Sequence, residues 1–276
     1  MVIHKVLNNN VVTVFDEQKN ELVIMGRGIA FQKKSGDELD QNKIEKIFTL
    51  EDKEISTRLK ELFSKIPIES VETSEEIIKL AKIKLGKMLH DNIYVSLTDH
   101  IHFAMERFQQ GLEIKNALLW ETKKFYKEEF MIGKEALDII EKKLGVRLPE
   151  DEAGFIALHI VNAELNEEMP NIVNITKIMQ EILNIVKYHF NIDYDEESLH
   201  YYRFVTHLKY FAQRLLSGAN IESNDDTLYE MVKERYKESF ECAEKVKAYV
   251  KKTYDRTLSN EDMLYLTIHI ERVITK

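Results

Sequence analysis

A repeated histidine frame constrains this chain more than any other feature of its sequence. Asp151-Glu152-Ala153-Gly154-Phe155-Ile156-Ala157-Leu158-His159-Ile160 returns 110 positions later as Glu261-Asp262-Met263-Leu264-Tyr265-Leu266-Thr267-Ile268-His269-Ile270. In both copies an acidic pair leads, an aromatic residue stands four before the histidine, and isoleucine follows it. A second frame repeats at an offset of 107. There Leu97-Thr98-Asp99-His100-Ile101-His102-Phe103-Ala104 is echoed by Phe204-Val205-Thr206-His207-Leu208-Lys209-Tyr210-Phe211, and Arg107 and Gly111 return as Arg214 and Gly218. Self-similarity at a fixed offset marks two copies of one structural unit, and it takes precedence over any local reading.

The N-terminal stretch lies outside both copies and has a different period. Short β-branched or apolar runs at 2–7, 11–15 and 21–25 are separated by Asn8-Asn9-Asn10 and by Asp16-Glu17-Gln18-Lys19-Asn20, both good turn material. Gly26-Arg27-Gly28 punctuates the next junction, Ile29-Ala30-Phe31 resumes, and 44–50 offers a further strand. From Glu54 the period becomes helical. Ile55, Leu59, Leu62 and Phe63 predict a short connecting helix ahead of Ile66-Pro67. Thr73-x-x-Glu76 reads as a capping box, followed by Ile77, Ala81, Leu85 and Leu89 at helical spacing. Further helices are expected over 95–110, 114–130, 134–143 and 150–165. Met169-Pro170 is a boundary, because the residue before proline disfavours helix. The second copy predicts helices over 175–190, 196–216, 226–254 (with a break) and 259–274.

The expected architecture is multidomain: a small antiparallel β domain over 1–56, then two homologous all-α helical bundles over 57–169 and 170–276. Fewer than ~60 residues bury only a limited core, so the β domain is expected to form a homodimer, sheet packed on sheet. Three prolines and nine glycines in 276 residues suit long helices. No apolar run approaches the ~20 residues of a membrane span, no signal peptide opens the chain, and the single Cys242 fits a reducing cytoplasm. A net charge of −9 argues against bulk electrostatic attraction to nucleic acid. It leaves room for a small site that reads shape and bases.

Each repeated histidine sits on or beside an apolar stripe: His100 with Leu97 and Phe103, His207 with Phe204 and Phe211, His159 with Phe155, His269 with Tyr265. A hydrogen-bonded core histidine is the plain reading of each, and duplicated domains duplicate structural residues too. Against it stands the recurrence of both positions in both copies. From spacing alone the structural and functional readings stand level. His4, His90, His189 and His200 belong to no paired frame.

Two chemistries compete for the pairs. His100-Ile101-His102 resembles a metal-ligand pair, but residues two apart on a helix face different sides, and Lys209 replaces the second copy of His102. Nor is Asp99-His100 the His-Asp order of helical metal phosphohydrolases. A metal-dependent phosphohydrolase-like enzyme with an appended β domain is therefore the second choice, and no metal or cofactor is expected. The first choice is reversible phosphorylation. A neutral imidazole nitrogen is a competent nucleophile, largely unprotonated near pH 7, and phosphoryl transfer needs positioning more than covalent assistance. The product carries enough charge to reorganise an interface.

The residues also carry a family resemblance. Lys5-Val6-Leu7-Asn8-Asn9-Asn10 and Val23-Ile24-Met25-Gly26-Arg27-Gly28-Ile29-Ala30-Phe31-Gln32-Lys33-Lys34 resemble a co-antiterminator RNA-binding domain. The two helical copies resemble PTS regulation domains, with Ile114-Lys115-Asn116-Ala117-Leu118-Leu119-Trp120-Glu121-Thr122 and Glu164-Leu165-Asn166-Glu167-Glu168-Met169-Pro170 as the most specific stretches. End to end, the chain is similar to the BglG/SacY family of transcriptional antiterminators. The resemblance implies a dimeric N-terminal domain that grips a hairpin in a leader mRNA and so prevents termination ahead of sugar-utilisation genes. RNA-contacting positions are implied at Asn10, Gly26, Arg27 and Phe31, with Lys5 and Gln32 as neighbours. Phosphorylation is implied at His100 and His159 by a sugar permease (enzyme II), which inactivates. At His207 and His269 it is implied by the phosphocarrier HPr, which activates. The protein is then a phosphate acceptor and switch in the cytoplasm, without catalytic residues of its own. Residues 1–34 hold five basic against three acidic side chains, a weak electrostatic footprint for RNA.

Overall fold

The computed structural model describes residues 1–48, 53–218 and 226–275, and the chain divides into two compact units, Met1–Glu167 and Glu168–Lys276. The first unit opens with four strands, β1 (Ile3–Asn8), β2 (Val11–Phe15), β3 (Glu21–Met25) and β4 (Lys46–Phe48). They pair in sequence order as one antiparallel sheet. β2 and β3 coincide with the apolar runs read from the sequence at 11–15 and 21–25. β4 is shorter than the run at 44–50, of which residues 49–50 lie outside the described residues. The turns explain the pairing. Asn8 Oδ1 accepts from Asn10 N at 2.7 Å, and Asp16 Oδ1 accepts from Gln18 N and Asn20 N at 2.9 and 2.7 Å, as asparagine and aspartate do when they close tight turns.

Alternation along the strands gives the sheet two apolar faces. Val12, Val14, Leu22 and Ile24 pack under Ile29, Ala30 and Leu39 from the segment that follows β3. Val11, Val23, Met25 and Phe48 face the other way. That second face, expected to meet a second copy of the domain, is occupied by α1 (Lys53–Lys65) and the start of α2 (Ile68–Leu85). Leu59, Phe63, Ile66, Ile68 and Val71 close over it, with Phe48 edge-on to Phe63 and Tyr94 at 5.3 and 5.7 Å. The dimer expectation thus meets an intramolecular cover.

The remainder of the first unit is α3 (Asn92–Gln109), α4 (Leu119–Phe125), α5 (Lys127–Leu144) and α6 (Glu150–Leu165). Two expectations are corrected. Thr73 caps nothing: α2 begins at Ile68, just after Pro67, and buried Thr73 donates from Oγ1 to Glu69 O at 2.6 Å in mid-helix. The helices expected over 114–130 and 134–143 are instead a short α4 and a long α5, divided at Tyr126 (φ −126°, ψ 51°). The Tyr126 ring is fully buried, and backbone bonds cross the corner: its N donates to Thr122 O at 3.0 Å and its O accepts from Phe130 N at 2.8 Å. A buried aromatic pivot lets the chain turn without leaving backbone groups unpaired.

The second unit repeats this plan with α7 (Met169–Phe190), α8 (Leu199–Ser217), α9 (Asp226–Arg235), α10 (Lys237–Tyr254) and α11 (Asn260–Ile274). Pro170 stands in the first turn of α7, where a missing N–H costs nothing, so this helix starts six residues before the expected one. The break expected within 226–254 falls at Tyr236 (φ −117°, ψ 56°), which matches Tyr126 at the same offset of 110. Ser259 caps α11 in a capping box with Asp262. No helix among the described residues is long and apolar enough to cross a membrane.

Candidate functional site

Helical spacing places His100 and Arg107 on one stretch of α3, two turns apart, and α6 packs across it with Glu152 and His159. The two imidazole rings lie 4.8 Å apart, centroid to centroid, and Phe155 stands 5.8 Å from His100. α6 lies close to α5 because Gly133 presents no side chain: a Cβ there would stand 2.2 Å from Ala153 O. Glu152, 4% exposed, sits between the histidine and the arginine. Its Oε2 is 2.9 Å from His100 Nε2 and its Oε1 is 3.4 Å from Arg107 Nη2. Burial pushes the His159 pKa well below the usual histidine range, with His100 adding to the effect. Asp99, beside this pair, is pushed the other way by burial, against the pull of His102 and His100.

The second unit brings His207 on α8 and His269 on α11 closer still, with ring centroids 3.9 Å apart. Both border a cavity of about 240 Å³ whose walls include Phe204, Phe211, Arg214 and Tyr265. His207 is exposed and His269 is 8% exposed. Burial lowers the pKa of each. Arg214, Arg203 and Arg272 add to the effect at His207, while His207 and Arg272 add to it at His269, which falls to about 4. Burial thus favours the neutral form of both imidazoles, the state in which a ring nitrogen carries a free lone pair. A guanidinium beside them suits a group with several anionic oxygens. Among the described residues no cluster of three or more His, Cys, Asp or Glu side chains is arranged to hold a metal ion.

The residues implied to touch RNA gather, with one exception, where the β1–β2 turn meets the segment after β3. Asn10 O accepts from Gly26 N at 2.9 Å, and Asn10 Oδ1 accepts from Gly28 N at 2.8 Å. Asn10 therefore builds the surface through both of its oxygens. Phe31 is 60% exposed and belongs to no core, and Gln32 follows in the left-handed region at φ 59°. Arg27 is exposed, and its guanidinium forks onto Glu72 of α2, with Nε and Nη2 at 3.3 and 3.1 Å from the two carboxylate oxygens. Lys5 is the exception: it is exposed on β1 opposite Thr13, away from the turn. Gly26 has a structural reason to be glycine, since a Cβ would meet Lys43 O at 1.7 Å. Sequence reasoning missed Glu72 and underused Glu152. The signal for Glu152 was present in the acid pair, which runs Asp-Glu at 151–152 and Glu-Asp at 261–262.

Residues 1–57 match the model of the CAT RNA binding domain, and residues 75–163 and 180–273 each match that of the PRD domain. The chain is similar to the transcription antiterminator LicT of Bacillus subtilis strain 168, 65% identical over 99% of both chains. It is also similar to the beta-glucoside operon antiterminator of Dickeya chrysanthemi, 56% identical over 99% of this chain and 96% of that one. Among solved structures, the crystal structure of GlcT CAT-PRDI aligns with a TM-score of 0.51 at 40% identity, over 59% of this chain and 97% of that one.

Proposed function

The chain belongs to the BglG family of RNA-binding transcription antiterminators, and on that premise we propose that it holds a leader-mRNA hairpin and so lets polymerase pass a terminator ahead of β-glucoside-use genes. The RNA-binding domain is assigned to 1–56 and the two regulation domains to 57–169 and 170–276. Asn10, Arg27, Phe31 and Gln32 form the RNA face, and Lys5 contributes only charge at its margin. The observation that carries this reading is Phe31, a large aromatic left 60% exposed beside Arg27 and Asn10. A bare ring beside a guanidinium and an amide suits unpaired bases, which stack on aromatics and offer their edges to polar side chains.

Control rests on the histidine pairs. HPr phosphorylates His207 or His269 and favours activity, while a sugar permease phosphorylates His100 or His159 and opposes it. The chain accepts phosphate and performs no catalysis of its own, and it works in the cytoplasm. The RNA-competent form is a homodimer of N-terminal domains. Sheet-to-sheet packing in that dimer excludes the α1–α2 cover, so the arrangement with Arg27 engaged by Glu72 is the resting one.

Phe31→Ala tests the RNA face. Gel-shift titration of the full chain against the leader hairpin should show a loss of about 1–3 kcal/mol, roughly five- to hundredfold in affinity. Thermal melting should be unchanged, because an exposed ring adds little to a core. An unchanged affinity, or a collapsed fold, would refute the assignment.

A further inference from the structure

The two histidine sites share an ancestry and differ by one methylene. The offset of 110 matches Glu152 with Asp262, and the offset of 107 matches Arg107 with Arg214. In the first site the longer acid reaches inward, with one oxygen on each of His100 and Arg107. In the second the shorter acid turns back to the helix start. Asp262 Oδ2 accepts from Ser259 N and Oγ at 3.2 and 2.9 Å, and only Oδ1 reaches Arg214 Nη2, at 3.3 Å. Among the described residues, neither His207 nor His269 has a carboxylate within ion-pair distance. Pro149 stands where the second copy has Ser259, so Glu152 has no such cap to hold it at the helix start.

A second observation is independent of that geometry. In the first site His100 Nε2, Glu152 Oε2, Arg107 Nε and His159 Nδ1 are all buried without an aligned hydrogen bond. No corresponding atom of the second site is in that condition. Four such atoms are costly, and three of them belong to the groups that meet at Glu152: His100, Arg107 and the acid itself. The misalignment matters too. A carboxylate that served to orient His100 would lie in line with its N–H. Here the contact is close but out of line, while the other oxygen takes the arginine.

The geometry points to Glu152 as an internal anion that occupies the phosphoryl position of the first site and makes it the slower acceptor, while Asp262 leaves the second site open. The inference rests on the phosphoacceptor reading above and names a specificity-determining residue within it. In the transfer itself, a neutral imidazole nitrogen forms the N–P bond as the donor's N–P bond breaks, and the acceptor becomes a phosphoimidazolium. Glu152 must leave Arg107 before that guanidinium can meet the phosphoryl oxygens. At the second site Arg214 keeps most of its fork free.

A small donor that needs no protein recognition isolates the effect. Phosphoramidate transfers its phosphoryl group to imidazole, and ammonia departs with the electrons of the broken N–P bond. With the full chain, labelling is mapped by mass spectrometry under acid-sparing conditions to the 100/159 and 207/269 peptides. The wild-type chain should label faster at 207/269. Glu152→Gln should raise labelling at 100/159 about tenfold, the scale of one close charge interaction in a partly buried site, with 207/269 as the unchanged internal reference. Asp262→Glu, at a partly open position, should lower labelling at 207/269 and leave 100/159 unchanged. A fall at 100/159 in Glu152→Gln would make the carboxylate an orienting group and overturn the inference, as would an unchanged ratio in both variants. No labelling of the wild-type chain at either pair would instead sink the phosphoacceptor reading itself.

Discussion

Gly26→Ala separates two explanations of one residue. If Gly26 is glycine so that RNA can approach, alanine there should weaken binding and leave the sheet intact. The backbone argues for a different cause. A Cβ at Gly26 would stand 1.7 Å from Lys43 O and 2.9 Å from Lys43 C. A carbon and an oxygen in contact need over 3 Å, so the 43–45 segment has to retreat by about 1.5 Å or carry heavy overlap. That segment is tied to β3: Glu45 N donates to Met25 O at 2.9 Å, and β4 continues the pairing from Lys46. Overpacking a well-packed site costs about 1–3 kcal/mol, and losing one backbone hydrogen bond about 1 more. A total of about 2–4 kcal/mol predicts that amide protection across β3 and β4 falls about 30- to 900-fold. Hydrogen exchange of the full chain reads this strand by strand, with the amides of α7 and α8 as internal controls. Protection within about threefold of wild type, together with lost RNA binding, would refute the packing argument and return Gly26 to the nucleic acid.

Gly133→Ala should loosen the first histidine site from a distance. Its Cβ meets the backbone of Ala153, which cannot rotate away, so α6 must shift at a cost of about 1–3 kcal/mol. Thermal denaturation should register the loss, and a melting point within a degree of wild type would show that α5 and α6 are not in contact there. Acidification should destabilise the second unit through His269. Its folded pKa of about 4 lies below the unfolded value near 6.5, so the unfolded chain binds the extra proton in between. The stability is fully present above about pH 6.5 and is lost as pH falls towards 4. Between pH 7 and 5 the loss should be at most about 1–2 kcal/mol, since the cavity side of the ring is open to water. In melts at both pH values, His269→Gln should lose less stability than wild type on acidification. An equal loss would remove His269 as the cause.

What the sequence made legible follows from which interactions are local. Continuous apolar runs set β2 and β3 to the residue, because each strand has two apolar faces and strong turn chemistry at its ends. The helix frames repeated because their apolar stripes repeat, and the matched histidines therefore meet across α3–α6 and α8–α11. The capping box at Thr73 failed because Pro67 starts the helix earlier and Thr73 pairs within it. The corner at Tyr126 was hidden, since a buried tyrosine at a helix junction looks like one more apolar residue in a stripe. Its one sequence signal is Tyr236, which repeats it at the same offset of 110. Glu72 was illegible for a different reason. Its partner Arg27 lies 45 residues away, and no period links a turn after β3 to a polar face of α2.

The contacts that hold the sheet on α1 and α2 differ in kind, and the difference decides what would free Arg27. Arg27 with Glu72 is an exposed pair, screened by salt and water, and such pairs contribute little to holding two elements together. Lys60 with Glu21 at 2.7 Å is better sheltered but still meets solvent. The apolar seam carries the packing. Leu59 and Phe63 are almost wholly buried against Phe48, Val23 and Met25, and each large side chain removed from water contributes about 1.5–3 kcal/mol. Electrostatic change at the surface therefore frees Arg27 without freeing the sheet. Undocking requires a competing apolar surface of similar size, which a second copy of the same sheet face supplies in the proposed homodimer. In the homodimer proposed above, dimerisation and release of the proposed RNA face are one event driven by burial, and the ion pair with Glu72 follows that exchange.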